Sequence, residues 1–244
     1  MAKNAIITGG SSGIGAALAA ELSRRGWSLA LLARRGDLLE QVCQALPTKS
    51  VAIGCDVTDA ASLERAVRSG ESQLGGPFDL AIANAGVGSF SRRSFDLPSA
   101  ENTIHVNVLG LMYLFAAVIP SMVERRSGHF AGIASLAGLR GLPTAAAYSA
   151  SKAAVQTFLE ASRVDLAAQG IKVTIVNPGY IATAMTEKNK FKMPFLMPVE
   201  KAARIIADGI ERGARVVEFP WPMSKLMRFA RLLPDAVWDR MVKR

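Results

Sequence analysis

Thr8-Gly9-Gly10-Ser11-Ser12-Gly13-Ile14-Gly15 is the stretch whose reading decides the fold. It follows the short β-branched run Asn4-Ala5-Ile6-Ile7 and leads into an apolar pattern of helical period over residues 14–25. Glycines between a strand and a helix permit a tight turn and let the backbone approach a pyrophosphate closely. The helix N-terminus beyond them offers free N–H groups and the positive end of a dipole. A glycine-rich turn can also serve geometry alone, but its place as the first strand–turn–helix of the chain favours phosphate binding.

The same alternation continues to either side. Strands are predicted at residues 4–8, 28–33, 51–55, 80–83, 129–135, 173–177 and 216–219. Helices are predicted at 14–25, 37–45, 62–73, 98–125, 147–169 and 198–213. This spacing predicts an α/β fold, a Rossmann-like doubly wound parallel sheet of about seven strands with helices on both faces. Asp37 with Glu40 reads as a capping box opening the second helix, and Gly26 and Gly170 as left-handed helix stops. With no linker and no internal repeat, residues 1–244 are expected to form a single domain, with residues 220–244 as a C-terminal extension.

The chain has 244 residues, half of them hydrophobic and 20% charged, which excludes a disordered protein. No uninterrupted apolar run approaches the ~20 residues of a membrane span. The N-terminus enters a strand at once, leaving no room for a secretory leader, so a cytoplasmic enzyme is expected. Cys43 and Cys55 lack metal-ligand spacing and read as free thiols; His105 and His129 read as structural, and no metal site is expected. The net charge of +9 suits an anionic cofactor or membrane surface. No nucleic-acid recognition element accompanies it.

Tyr148-Ser149-Ala150-Ser151-Lys152 places a phenol and an ammonium one helical turn apart on one face. Hydride transfer to a carbonyl leaves an alkoxide that needs a proton, and the reverse reaction needs one removed. A phenol of pKa ~10 does this near neutrality only with a cation beside it to stabilise the phenolate. Alone, this pair is common on solvated helices.

Joined to the opening turn, it is more specific. Thr8-Gly-x-x-x-Gly-Ile-Gly with Tyr-x-x-x-Lys resembles the short-chain dehydrogenase/reductase family over nearly the whole chain. The resemblance implies a catalytic tetrad of Asn107, Ser135, Tyr148 and Lys152, with Ser135 holding the substrate oxygen. Mid-helix Asn107 is unfavourable by propensity, and a water held for proton relay to Lys152 would explain it. It further implies cofactor contacts at Gly9, Ser11, Ser12, Gly13 and Ile14, at Asp56 and Val57, and at Asn84, Ala85 and Gly86. Pro178, Gly179, Ile181 and Thr183 are implied beside the nicotinamide, together with Tyr148 and Lys152. Ala134 and Ala83 depart from residues common in the family without removing a tetrad group. Ser149 and Ser151 read as packing or capping residues.

At the end of the second strand an acid would select NAD by binding the ribose 2′-hydroxyl, whereas a basic residue accommodates the 2′-phosphate of NADP. Arg34 and Arg35 stand there, and arginine binds phosphate through a planar fork. NADP(H) is therefore expected, with Arg34 the first contact and Arg35 the alternate; the capping role accounts for nearby Asp37.

For residues 180–197, rich in Met, Phe and Lys, the resemblance implies a lid over substrate, and residues 87–95 are expected to line the opposite side. The apolar content implies a lipophilic carbonyl or alcohol substrate. Lys188, Lys190 and Lys192 could meet an anionic head group, although solvated lysines explain them as well. The extension carries six basic side chains (Lys225, Arg228, Arg231, Arg240, Lys243, Arg244) against Asp235 and Asp239. Its amphipathic pattern fits either a cover over the cleft or a subunit, or peripheral membrane contact. A homodimer is favoured. The rival readings are a non-catalytic nucleotide-binding regulator and a membrane-associated interaction protein on the same fold.

Overall fold

In the computed structural model, which describes residues 3–88, 95–187 and 192–242, every sheet pairing is parallel. The elements run β1 (Asn4–Thr8), α1 (Gly13–Arg24), β2 (Ser28–Ala33), α2 (Gly36–Gln44), β3 (Ser50–Gly54), α3 (Ala60–Leu74) and β4 (Leu80–Ala83). Then follow α4 (Leu97–Ile104), a π-helical segment (His105–Leu109), α5 (Gly110–Glu124), β5 (Gly128–Ile133), a 3-10 turn (Leu136–Gly138) and α6 (Ala146–Ala167). The chain continues through β6 (Ile171–Pro178), α7 (Ala184–Glu187), α8 (Val199–Glu211), β7 (Val216–Phe219), α9 (Trp221–Leu232) and α10 (Asp235–Val242).

The strand order is β3-β2-β1-β4-β5-β6-β7. The order reverses between β1 and β4, and there the C-terminal strand ends splay into a crevice. Both faces are covered, so the central strands are buried and alternate between two cores, while the edge strands β3 and β7 are partly exposed. Ile6, Ala30 and Phe130 face α3, α5 and α6, whereas Ala5, Ile7, Leu29 and Leu31 face α1 and α8.

Two expectations change. The helix predicted at 98–125 is broken by the π-helical segment at Asn107. Spanning Leu97–Glu124, it is by length and composition apolar enough to cross a bilayer, with a hydropathy of 2.0 in its most apolar window. Half of that window is buried against the sheet and neighbouring helices, which marks a core helix. Asp37 is not a cap: α2 starts at Gly36 with Arg35 at the N-cap and no side-chain hydrogen bond there. Asp37 instead lies in the first turn, where its charge complements the helix dipole. Gly26 and Gly170 do adopt left-handed φ, at +86° and +77°. Cys43 and Cys55 are free thiols whose pKa values burial pushes up.

His129 is structural and makes stability pH-dependent. Its Nε2 lies 2.8 Å from Thr174 Oγ1, which donates to the Ala214 carbonyl and so accepts from the ring. Burial, with Lys172 adding to it, lowers its pKa from 6.5 to about 4. Between these values the unfolded chain binds a proton that the folded one does not, so stability falls as pH falls through the window. The shift corresponds to about 3 kcal/mol. In urea unfolding, His129→Gln should remove that share of the loss between pH 7 and pH 4; identical pH profiles for the two proteins would contradict the assignment.

Candidate active site

A cleft of about 410 Å³ lies over the C-terminal ends of the strands around the β1–β4 reversal. At one end the turn after β1 brings its glycines under the α1 N-terminus. Gly9 has φ +69° and its Cβ would fall 2.9 Å from Ala85 Cα; a Cβ on Gly15 would collide with the Gly9 carbonyl oxygen and approach Asn84 Nδ2 to 2.6 Å. Asn84 closes the turn by donating to the Thr8 and Gly9 carbonyls at 2.9 and 3.2 Å. The Thr8 hydroxyl oxygen accepts from the N–H groups of Asn84 and Ala85. The sequence thus builds a backbone cradle too narrow for side chains at its floor.

Ser11, Ser12, Gly13 and Ile14 line the cradle, and Arg34 and Arg35 flank it. Arg35 Nη2 donates to Ser11 Oγ at 3.1 Å and Ser12 Oγ at 2.9 Å. Arg34 lies instead toward Asp56, whose carboxyl is held below the usual range by the Thr58 N–H and hydroxyl, with Arg34 contributing. Arg35, the alternate of the two expected contacts, is the one turned onto the glycine-rich turn. Asp37 is not among the residues lining the cleft.

At the other end Ser135, Tyr148 and Lys152 come together. The Ser135 hydroxyl faces the Tyr148 phenol; Ser135 Oγ donates to the Pro178 carbonyl at 3.4 Å and accepts from the Ala137 N–H at 3.1 Å. Lys152, almost fully buried, donates to the Ile133 carbonyl at 2.8 Å, with Nζ 5.8 Å from the Tyr148 ring centre. Burial drives the two groups in opposite directions, because it penalises whichever form is charged. The Tyr148 phenol is pushed up, despite the opposing Ser135 hydroxyl, and the Lys152 ammonium is pushed down to about 8. Val57, Ala85, Gly86, Pro178, Gly179, Ile181 and Thr183 complete the wall.

Asn107 does not reach the cleft wall. Its Oδ1 accepts from the Val87 N–H at 2.8 Å, and its Nδ2 donates to the Val87 carbonyl and to Ser151 Oγ, each at 3.0 Å. This amide carries no bond to Lys152; it ties the loop after β4 to α6. Ser151, read from sequence as a packing residue, is that tie, and it also donates to the Tyr148 carbonyl at 2.7 Å. The π-helical segment bulges where this amide is held, a feature that recurs at functional sites.

Sequence reasoning missed Gln156. Its Nε2 donates to the Ser135 carbonyl at 2.7 Å and to Asn177 Oδ1 at 2.9 Å. The signal was present: Tyr148, Lys152 and Gln156 recur every four residues along one face of α6. Of the predicted lid, Ile181 and Met197 pair and are buried, and Met185 and Thr186 line the cleft. Lys192 is exposed. Lys188 and Lys190 lie outside the described residues, as do most of the 87–95 wall and, in the extension, Lys243 and Arg244.

The family described as short chain dehydrogenase matches residues 3–193. An uncharacterized oxidoreductase of Myxococcus xanthus is 41% identical, with 99% of this chain and 97% of that one covered. The alcohol dehydrogenase of the archaeon Thermococcus sibiricus, solved in complex with 5-hydroxy-NADP, superposes with a TM-score of 0.79 at 25% identity, over 90% of this chain and 95% of that one. A short chain dehydrogenase/reductase of Burkholderia phymatum in complex with NAD superposes at 0.86 over 100% and 95%; at 20% identity this likeness concerns the fold alone.

Proposed function

The chain belongs to the short-chain dehydrogenase/reductase family, and we propose that it is an NADP(H)-dependent oxidoreductase that reduces a lipophilic ketone or aldehyde, the reverse oxidation being the same chemistry. The observation that carries this is the Ser135 hydroxyl set against the Tyr148 phenol with Lys152 one helical turn away, at the opposite end of one cleft from a glycine cradle.

The cradle fits a dinucleotide: its floor would be filled by any Cβ at Gly15, and its rim carries hydroxyls and two guanidinium groups. Bound there, the nicotinamide supplies the hydride. Ser135 holds the substrate oxygen against Tyr148. As the carbonyl is reduced, the Tyr148 O–H bond breaks and its proton passes to the alkoxide oxygen, leaving a phenolate. The raised pKa keeps the phenol protonated at neutral pH, ready to donate. Lys152 keeps its charge below about pH 8 and stabilises the phenolate. Asn107 and Gln156 are positioning residues that hold the Val87 loop and the Ser135 turn against α6.

Related structures hold either form of the cofactor, so the choice rests on Arg34 and Arg35. Arg35 turned toward Ser11 and Ser12, and Arg34 toward Asp56, leave two cations where a 2′-phosphate would lie. Ile181, Met185 and Met197 supply the apolar side of the substrate region. A homodimer is supported by an apolar groove between α4 and α6, lined by Phe95, Leu97, Ile104 and Ala147; a monomeric mass by light scattering would remove that part of the reading.

The test is a coenzyme oxidation assay against aldehydes and ketones of increasing chain length. We expect kcat/KM with NADPH to exceed that with NADH by at least about tenfold, a difference of ~1.4 kcal/mol. We also expect it to rise with chain length by up to ~0.8 kcal/mol per buried methylene. Equal use of the two coenzymes would overturn the NADP assignment, and a flat chain-length series the lipophilic one.

A further inference from the structure

Beyond the reaction, and independently of it, we propose that the C-terminal helices α9 and α10 dock the protein on an anionic phospholipid surface. The argument begins with how firmly the extension is held. Met223 and Ala230 are buried against the fold. Arg228 Nε donates to Glu218 Oε2 at 2.7 Å, and Glu218 Oε1 accepts from Asn177. Arg140, just past the 3-10 turn after Ser135, donates to the carbonyls of Arg231 and Leu233 and to Asp235. It also lies 5.5 Å from the Trp238 ring centre. The extension is thus bonded on its inner side and presents a defined outer side.

That outer side is apolar where a soluble surface would be polar. Of Trp221, Leu226, Phe229 and Leu232 on α9, all but Leu226 fall, at 100° per residue, on the half opposite Met223 and Ala230. They are 70%, 56%, 61% and 81% exposed. Lys225 lies among them, Arg228 and Arg231 border them, and Arg240 is exposed on α10. Of the two acids in the extension, Asp235 is paired with Arg140. A helix with an apolar face of Trp, Phe and Leu among basic residues lies in a bilayer interface, its cations held by anionic headgroups. A second copy fits this face less well. A two-fold interface would set the same basic residues of both chains against one another, on a chain already at +9.

The inner side of the extension packs at the substrate end of the cleft: a Cβ on Gly179 would meet Met223 Sδ at 2.8 Å, and Arg140 follows the Ser135 turn in the chain.

The test is co-sedimentation of the full chain with vesicles of phosphatidylcholine and phosphatidylglycerol in equal parts, and with pure phosphatidylcholine. The chain should sediment with the anionic vesicles and not with the neutral ones, and high salt should release it. Phe229→Ser combined with Leu232→Ser, and separately Lys225→Glu combined with Arg231→Glu, should each lower the bound fraction about tenfold. Both pairs of side chains are exposed, so thermal unfolding should stay at the wild-type temperature. The emission of Trp221 should shift to the blue on vesicles, a shift absent in Trp221→Phe. No binding to anionic vesicles, equal binding to neutral ones, or a self-association abolished by Phe229→Ser with Leu232→Ser would each overturn the proposal. None of these readouts depends on turnover.

Discussion

Tyr148→Phe is expected to lower kcat for carbonyl reduction roughly a thousandfold while leaving the Kd for NADPH within about twofold of wild type. The ring is preserved and one hydroxyl is lost. Ser135 keeps its place through the Ala137 N–H, and Gln156 still holds the Ser135 carbonyl, so the substrate-side wall should not move. The net cost to stability is that of one hydrogen bond, about 1 kcal/mol. What disappears is the proton donor. Single-turnover oxidation of NADPH separates chemistry from binding, and coenzyme fluorescence gives the Kd. A variant retaining a tenth of wild-type kcat would exclude Tyr148 as the acid. Loss of NADPH affinity in proportion to kcat would place the residue in binding instead.

Gly15→Ala is expected to cost about 3–5 kcal/mol of stability and roughly a hundredfold in NADPH affinity. The added methyl meets the Gly9 carbonyl oxygen and Asn84 Nδ2, which are backbone and a side chain already bonded to that backbone. Neither can yield without opening the turn. Overpacking of this kind costs ~1–3 kcal/mol, and releasing Asn84 from the Thr8 and Gly9 carbonyls adds about 1 kcal/mol for each bond. The cofactor loss follows because the N–H groups that would face its phosphates move with the turn. Urea unfolding measures the first effect and fluorescence titration the second. Wild-type stability with weakened NADPH binding would mean that the turn had absorbed the methyl, contradicting the close approach of Gly15 to Gly9. By contrast, Gly26→Ala should leave coenzyme affinity unchanged, since nothing lies within 4 Å of its Cβ.

Much of the architecture was legible because it is written locally. A buried parallel strand needs a short continuous apolar run, and 4–8, 28–33, 80–83 and 216–219 coincide with β1, β2, β4 and β7. The Tyr148 and Lys152 spacing is a property of one helix, and the glycine spacing of one turn. Where the reading failed, the deciding interaction came from elsewhere in the chain. Asp37 and Glu40 had the pattern of a cap, but the chain entered α2 one residue early, leaving Arg35 at the N-cap and free to reach Ser11 and Ser12.

By itself, then, the sequence determined the strand–helix alternation, the glycine turn and the helical turn that joins Tyr148 to Lys152, because each depends on residues within a few positions of one another. Tertiary structure alone decided the rest. Asn107 is bonded to Val87 and Ser151, 20 and 44 residues away, which places its amide behind the cleft and the π-helical segment around it. Arg35 reaches Ser11 and Ser12 across the Thr8–Gly15 turn because β1 and β2 are paired, with Thr8 opposite Leu32. The electrostatic bias of Tyr148 and Lys152 also comes from burial, which the packing of α6 against the sheet supplies and no spacing of residues encodes.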